Sequence, residues 1–243
     1  MENKLKPIII QGAMYLEIEY LIENMFNFEK IVIGSYEFYK GTINKYPVII
    51  AETKVGTVNA AASTAIAILE FEPLLIVNQG IAGSHSSDIH INDVIIGEKV
   101  ININAFDIPF RKKFEGSNPF EWKIPDWLSN LNLEDDILLE FAKNIEYKEG
   151  KVYCGLIGSG DVWNKEVDRI SWIHENYDTL CEDMESIATY TVCNNFNIPC
   201  IGIRIISNNE ISRERYDRST SITIQKFIIE LVKKYIDTYS ESE

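Results

Sequence analysis

The chain has 243 residues, 46% hydrophobic and 25% charged, with a formal charge of −14 and a mean hydropathy of −0.09. That balance belongs to a globular protein with a sizeable core, not to a disordered acidic tail. An acidic chain with few arginines has no basic footprint for nucleic acid or an anionic membrane, and its longest apolar runs, such as 47–51 and 74–77, fall far short of the roughly 20 residues that span a bilayer.

Residues 1–6 lead straight into the apolar run 7–10, too short for the apolar core of a signal peptide, so a cytoplasmic protein is expected. Residues 7–11 read as a first buried strand, and 17–25 carry Ile18, Leu21, Ile22 and Met25 at helical spacing. Residues 30–35, 36–43 and 46–53 are strand candidates joined by short turns with Gly34, Gly41 and Asn44. An alanine-rich helix follows at 58–69, small enough in its side chains to lie close to a sheet. Pro73 stops it, and 74–78 form another buried strand. Residues 92–103 give further strand, with a break at Gly97.

The stretch 107–136 differs in kind. It holds Pro109, Pro119 and Pro125, the phenylalanines Phe110, Phe114 and Phe120, and Trp122 and Trp127. A long surface excursion of this composition reads as functional or partner-covered, with 106–127 as a candidate lining of the site or of a dimer contact. Beyond it come a helix at 137–144, strand at 151–157, helices at 165–176 and 182–195, strand at 199–206 and an amphipathic helix at 219–239. No repeat or linker divides the chain, so 1–243 reads as one domain. Strand–helix alternation predicts an α/β fold, and the early hairpin-like strands make its sheet mixed.

Cys154, Cys181, Cys193 and Cys200 show no CxxC spacing and read as buried free thiols. His85, His90 and His174 form no HExxH or His/Cys cluster, so no metal is expected, and GxSxG is absent.

In α/β sheets ligands gather beyond the C-terminal ends of strands. Four constellations lie there. Gln11-Gly12-Ala13-Met14 leads to Glu17, either a helix-dipole partner or a general base. Asn78-Gln79-Gly80-Ile81-Ala82-Gly83-Ser84 reads as a glycine turn after a strand. Gly158-Ser159-Gly160-Asp161-Val162-Trp163-Asn164 precedes a helix, with Asp161 or Asn164 as N-cap and Trp163 as either a stacking platform or core. Glu182-Asp183-Met184-Glu185-Ser186 reads as a helix opening whose carboxylates suit the dipole or a sugar diol, and Arg204-Ile205-Ile206-Ser207-Asn208-Asn209 ends an apolar strand in polar residues.

Together with Val55-Gly56-Thr57-Val58-Asn59-Ala60-Ala61, Ile91-Asn92-Asp93-Val94 and Asn195-Phe196-Asn197-Ile198-Pro199, in this order and spacing, these segments resemble the 5′-methylthioadenosine/S-adenosylhomocysteine nucleosidases of the nucleoside phosphorylase superfamily. The resemblance runs through almost the whole chain. It implies a three-layer α/β/α fold around a mixed sheet that closes partly into a barrel, a homodimer, and hydrolysis of a purine N-glycosidic bond by water with no cofactor. By motif match Glu17 is the water-activating base, Glu185 holds the ribose hydroxyls, Met184 packs on the sugar, Trp163 stacks on the purine, and Ser207 and Arg204 support the acid position.

Two positions depart from the family. Asn208 stands where the family has a general-acid Asp. An amide donates a hydrogen bond to N7 but no proton, and it reads adenine or, turned over, a 6-oxopurine. Ile81 replaces a Ser or Thr and makes that wall apolar. The loops where phosphate-using relatives carry Arg hold Gln11-Gly12-Ala13-Met14 and Asn78-Gln79, without a cation, which favours water over phosphate. A nucleosidase for 5′-substituted adenosines is therefore the leading expectation. A 6-oxopurine nucleosidase, a phosphorylase and a catalytically weakened nucleoside-binding protein follow it.

Overall fold

The computed structural model describes residues 5–125, 131–132 and 136–240. Its first strand, β1 (Ile8–Gly12), is buried along its whole length. It is a run of isoleucines with no polar alternation because helices cover both faces of its sheet. β1 pairs parallel with β4 (Tyr46–Glu52) on one side and β5 (Leu75–Ser84) on the other. Antiparallel to β4 runs β3 (Tyr36–Ile43), and antiparallel to that β2 (Phe26–Ile33), the outer edge.

The second half of the sheet closes on itself. β10 (Cys200–Asn208) lies parallel to β5 and antiparallel to β6 (Val94–Asn102). β6 is parallel to β8 (Val152–Ser159), β8 to β9 (Thr179–Asp183), and β9 returns antiparallel to the end of β5. Five strands thus form a ring, with β5 shared between the ring and the open sheet. β7 (Leu131–Asn132) adds a short antiparallel pairing to β6.

Helices α1 (Glu19–Glu23), α3 (Asp136–Lys143) and α6 (Thr220–Ser240) cover one face, where Leu21, Leu138, Ile224 and Ile228 pack with Ile8, Ile10 and Ile203. Helices α2 (Thr57–Phe71) and α5 (Ser186–Phe196) cover the other, where Ala67, Ile68 and Tyr190 meet Ile9, Ile49 and Ile76. The three-layer architecture expected of the family is present. α4 (Val167–Tyr177) buries Ile173 in a smaller cluster with Ile101, Ile103 and Ile124. Among the described residues no helix is long and apolar enough to cross a membrane.

Several boundaries move. The stretch 78–84, expected as a turn, is the second half of β5: its glycines leave room for side chains, Glu17 beside Gly80 and Asn208 and Glu182 beside Gly83. Glu182 and Asp183 end strand β9 instead of opening a helix, and α5 starts at Ser186 with Glu185 at its N-cap. The apolar Thr179-Leu180-Cys181 is too short to announce a strand by periodicity. The N-cap of α4 is Glu166, not Asp161 or Asn164. Residues 17–25 split into a 3₁₀ turn, Tyr15–Glu17, and the brief α1. At Gly97 β6 continues through a register shift between Gly97 and Lys99. In the excursion, Asp107 and Lys123 form an isolated bridge and Phe106 packs on Trp122 with centroids 5.8 Å apart. Phe110 and Phe114 are exposed, and Trp127 lies outside the described residues.

Candidate active site

The strand ends of β1, β5, β9 and β10 surround a cleft of about 170 Å³. Its wall includes Glu17, Ile81, Trp163, Met184, Glu185, Ser207 and Asn208, so seven of the eight residues singled out in the sequence converge on one space. Among the described residues that line it there is no Lys or Arg.

Glu17 is 2% exposed. Its Oε2 accepts the backbone N–H groups of Ala13 at 2.8 Å and Met14 at 3.0 Å, and its Oε1 accepts that of Ile81 at 3.0 Å. Burial raises the carboxyl above its usual range, while these N–H donors and the charge of Arg204 act in the opposite direction. The result is an oriented carboxylate with enhanced basicity, the property asked of a group that takes a proton from water. Gly80 makes room for it: a Cβ there would sit 2.6 Å from Glu17 Oε1.

Glu185 is likewise buried, and its Oε1 accepts the Gly56 N–H at 2.8 Å. Burial and the neighbouring charge of Asp183 push its carboxyl up to about 8. Gly56 caps α2 with φ of +98°, a conformation that L side chains rarely adopt. Asp161 closes the same helix end by accepting the Thr57 N–H at 2.7 Å, so its place is structural.

Trp163, 62% exposed, stands at the rim of the cleft with its ring edge-to-face against Tyr216, centroids 6.3 Å apart. Asn208 Oδ1 accepts the Ser207 hydroxyl at 3.1 Å, and the Asn208 amide donates a longer bond to Glu210 at 3.4 Å. The Ser207 hydroxyl also reaches the Ala82 carbonyl at 3.2 Å.

Arg204 is the expected site residue that does not reach the cleft. It is 1% exposed, and its donors are committed to protein acceptors. Nε donates to Asp183 Oδ2 at 2.5 Å, Nη1 to the carbonyls of Asn78 and Ile203 at 2.9 Å each, and Nη2 to the Asn78 side chain and to Ser186 Oγ. It positions Asp183 and the start of α5 through these bonds. The basis is its location: β10 is buried on both faces, so a side chain four residues before its end points into protein.

Tyr216, Val55, Val162 and Glu182 line the cleft without having been singled out as site residues. Tyr216 lies in an irregular loop after β10, where spacing carries no signal. None of the described residues 106–125 lines the cleft, and the rest of the excursion, Trp127 included, lies outside the described residues.

The family model described as "Phosphorylase superfamily" matches residues 7–237. A 5′-methylthioadenosine/S-adenosylhomocysteine nucleosidase from Staphylococcus carnosus is 31% identical over 225 residues, covering 92% of this chain and 93% of the relative. The crystal structure of the nucleosidase of the same name from Neisseria meningitidis, in complex with methylthio-immucillin-A, superimposes with a TM-score of 0.80 at 28% identity, over 95% of this chain and all of the other. The futalosine hydrolase of Helicobacter pylori superimposes with a TM-score of 0.78 at 26% identity, over 95% and 98% of the two chains.

Proposed function

The chain belongs to the phosphorylase superfamily, and from that membership we propose that it is a purine nucleosidase that hydrolyses the N-glycosidic bond of 5′-methylthioadenosine- and S-adenosylhomocysteine-type nucleosides. The observation that carries the reading is the placing of two buried carboxylates, Glu17 and Glu185, on one cleft with Trp163 at its rim.

Each residue then has a role. The purine stacks on Trp163, and Met184 packs on the sugar. Glu185, held by Gly56, accepts the ribose 2′- and 3′-hydroxyls. Glu17 takes a proton from water as the water oxygen bonds to C1′ and the C1′–N9 bond breaks, its electron pair leaving with the base. Positive charge develops on the ribose on the way, and the carboxylates face it. Asn208 donates its amide N–H to N7, stabilising the leaving base by hydrogen bonding without proton transfer. Base activation of this kind contributes about 10²–10⁴-fold. Among the described residues that line the cleft beside Glu17 there is no Lys or Arg, which supports water over phosphate there, because a phosphate dianion calls for such partners.

A homodimer is part of the same proposal. Val58 and Leu69 of α2 are 78% and 69% exposed, and Val55, just before α2, lines the cleft. Exposed apolar side chains on a helix adjoining the site suit a second copy. Four free cysteines, three of them buried, suit a reducing cytoplasm.

The test is release of adenine from 5′-methylthioadenosine in phosphate-free buffer, followed by chromatography. Hydrolysis without phosphate is expected, with Glu17→Gln losing about 10²–10⁴-fold in kcat. A strict phosphate requirement overturns the hydrolytic reading.

A further inference from the structure

Glu182 is a buried carboxylate on the cleft wall to which the chemistry above gives no role. It is 7% exposed and lines the same space as Trp163 and Asn208. Its position follows from strand register. Gly83 of β5 pairs with Glu182 of β9 on one side and with Asn208 of β10 on the other. Two strand spacings of about 4.8 Å set the backbones of Glu182 and Asn208 roughly 10 Å apart. The glycine between them leaves the gap open: a Cβ at Gly83 would lie 3.4 Å from Asn208 Nδ2 and 3.8 Å from Glu182 Cγ.

The carboxylate is also held. Oε1 accepts the Asn164 backbone N–H at 2.9 Å, and Oε2 lies 3.0 Å from His85 Nε2. His85 is fully buried, and its Nδ1 lies 2.7 Å from the Thr179 hydroxyl. With the hydroxyl donating to Nδ1, Nε2 carries the proton and donates to Glu182. Two donors from within the protein fix the group in place, one on each oxygen, and a carboxylate has further lone pairs to offer a ligand in the cleft that Glu182 lines. The carboxylate also occupies the Asn164 N–H, a backbone donor close in sequence to Trp163.

A purine lodged between Glu182 and Asn208 must therefore offer hydrogen-bond donors to one side. Adenine offers its exocyclic amine, with an acceptor at N1. A 6-oxopurine offers N1–H, and guanine adds an adjacent amine, so guanine presents two donors to the two oxygens of one carboxylate. The Asn208 amide accommodates either class by turning over: its oxygen accepts an amine, or its NH₂ meets a 6-oxo group.

We propose that this site, read as a nucleosidase, accepts 6-oxopurine nucleosides as well as adenine nucleosides, and that Glu182 is the residue that determines this range. The inference rests on the nucleosidase reading and extends it to a second class of base. The reaction is unchanged: water adds to C1′, C1′–N9 breaks, Glu17 takes the water proton, and the base leaves with the bonding pair and gains a proton from solvent.

The experiment compares kcat/KM of the full-length protein for the 5′-methylthio derivatives of adenosine, inosine and guanosine in phosphate-free buffer. The two 6-oxopurine substrates are expected within about tenfold of the adenine one, because a site closed to them by unpaired polar groups would reject them by about 10⁴-fold. Glu182→Gln, which cannot accept both guanine donors at once, is expected to lower the guanine-to-adenine ratio by about tenfold or more. Binding of free guanine, hypoxanthine and adenine to the wild-type protein, read by tryptophan fluorescence, supplies a test that needs neither turnover nor a folded variant. All three bases are expected to bind. Release and binding of adenine alone overturn the inference and leave the nucleosidase reading standing. A Glu182→Gln protein that loses all three substrates equally also overturns it. Release from none of the three overturns the nucleosidase reading itself, and this inference with it.

Discussion

Arg204 Nε lies 2.5 Å from Asp183 Oδ2, an ion pair sealed from solvent directly behind the wall that Asp183 contributes to the cleft. Ser186 Oγ donates to the same Asp183 oxygen and accepts from Arg204 Nη2, so one guanidinium ties β9, the start of α5 and, through Asn78, β5 into a single joint. Burial works against the charged guanidinium, and Asp183, Glu185 and Glu17 more than offset it, holding Arg204 above its usual range. Removing one partner of such a pair strands the other charge. Arg204→Met is therefore expected to cost on the order of 3–5 kcal/mol of stability, a fall in Tm of about 2–4 °C for each kcal/mol. Thermal denaturation checks it. A raised KM with unchanged Tm would mean that Arg204 touches substrate after all.

Glu185 couples stability and binding to pH. Its folded carboxyl titrates at about 8, above its usual value of 4.5, because burial and Asp183 oppose the charge. Between those two values the unfolded chain releases this proton and the folded chain keeps it. Stability therefore falls as pH rises across that window, and the loss is complete above about 8. Glu185→Gln removes the dependence, so the variant is expected to gain Tm on wild type as pH rises from 5 to 8. Substrate binding has the opposite sign. A diol needs the ionised carboxylate as acceptor, so kcat/KM is expected to climb with pH to a plateau above about 8 and to lose that limb in Glu185→Gln. A flat wild-type profile would remove Glu185 from the ribose site.

The contrast between Glu185 and Arg204 shows what the sequence carries and what it conceals. Met184-Glu185, Glu17 and Trp163 are legible as site residues because motif order alone places them at strand ends, and the strand ends do converge. Arg204 sits in an equally legible motif, yet a motif does not say which way a side chain points from a strand buried on both faces. β9 escapes a periodicity reading because five residues buried on both sides offer no alternation, and its two acidic terminal residues imitate the first turn of a helix. The ring closure through β5 is non-local: Gly83 meets Glu182 some hundred residues later in the chain, a pairing visible only in register. The role argued for Glu182 depends on that pairing.

Trp163 and Tyr216 form a two-ring rim, with Lys165 Nζ 5.2 Å from the indole centroid. Base–aromatic stacking is worth about 1–3 kcal/mol by alanine substitution. Trp163→Ala is expected to raise KM by about ten- to a hundredfold, with kcat changed less, since stacking holds the base in ground and transition states alike. Trp163→Phe is expected to keep most of the affinity. Initial-rate kinetics with 5′-methylthioadenosine decide it, and unchanged KM in the alanine variant would move the base elsewhere in the cleft.

Asn208 sets the leaving-group chemistry, and its neighbours say what an acid there would do. Glu210 Oε1 lies 3.4 Å from its amide nitrogen, and Glu182 lies across Gly83. In Asn208→Asp the new carboxyl would sit among like charges, and such neighbours raise a carboxyl's pKa. It would then keep its proton to higher pH than an exposed Asp and could pass it to N7 as the glycosidic bond breaks. General-acid help of this kind is worth about 10²–10⁴-fold in favourable geometry. The expected result is a rise in kcat on 5′-methylthioadenosine of about tenfold or more. A new falling limb at high pH should accompany it, where the acid is lost. The 6-oxopurine substrates should gain less, because an ionised form of that acid repels O6 where the amide NH₂ binds it. Kinetics across pH for both classes of substrate measure the two effects separately. A uniform loss of activity would instead make the amide itself indispensable, as the group that orients N7 through its bond from Ser207.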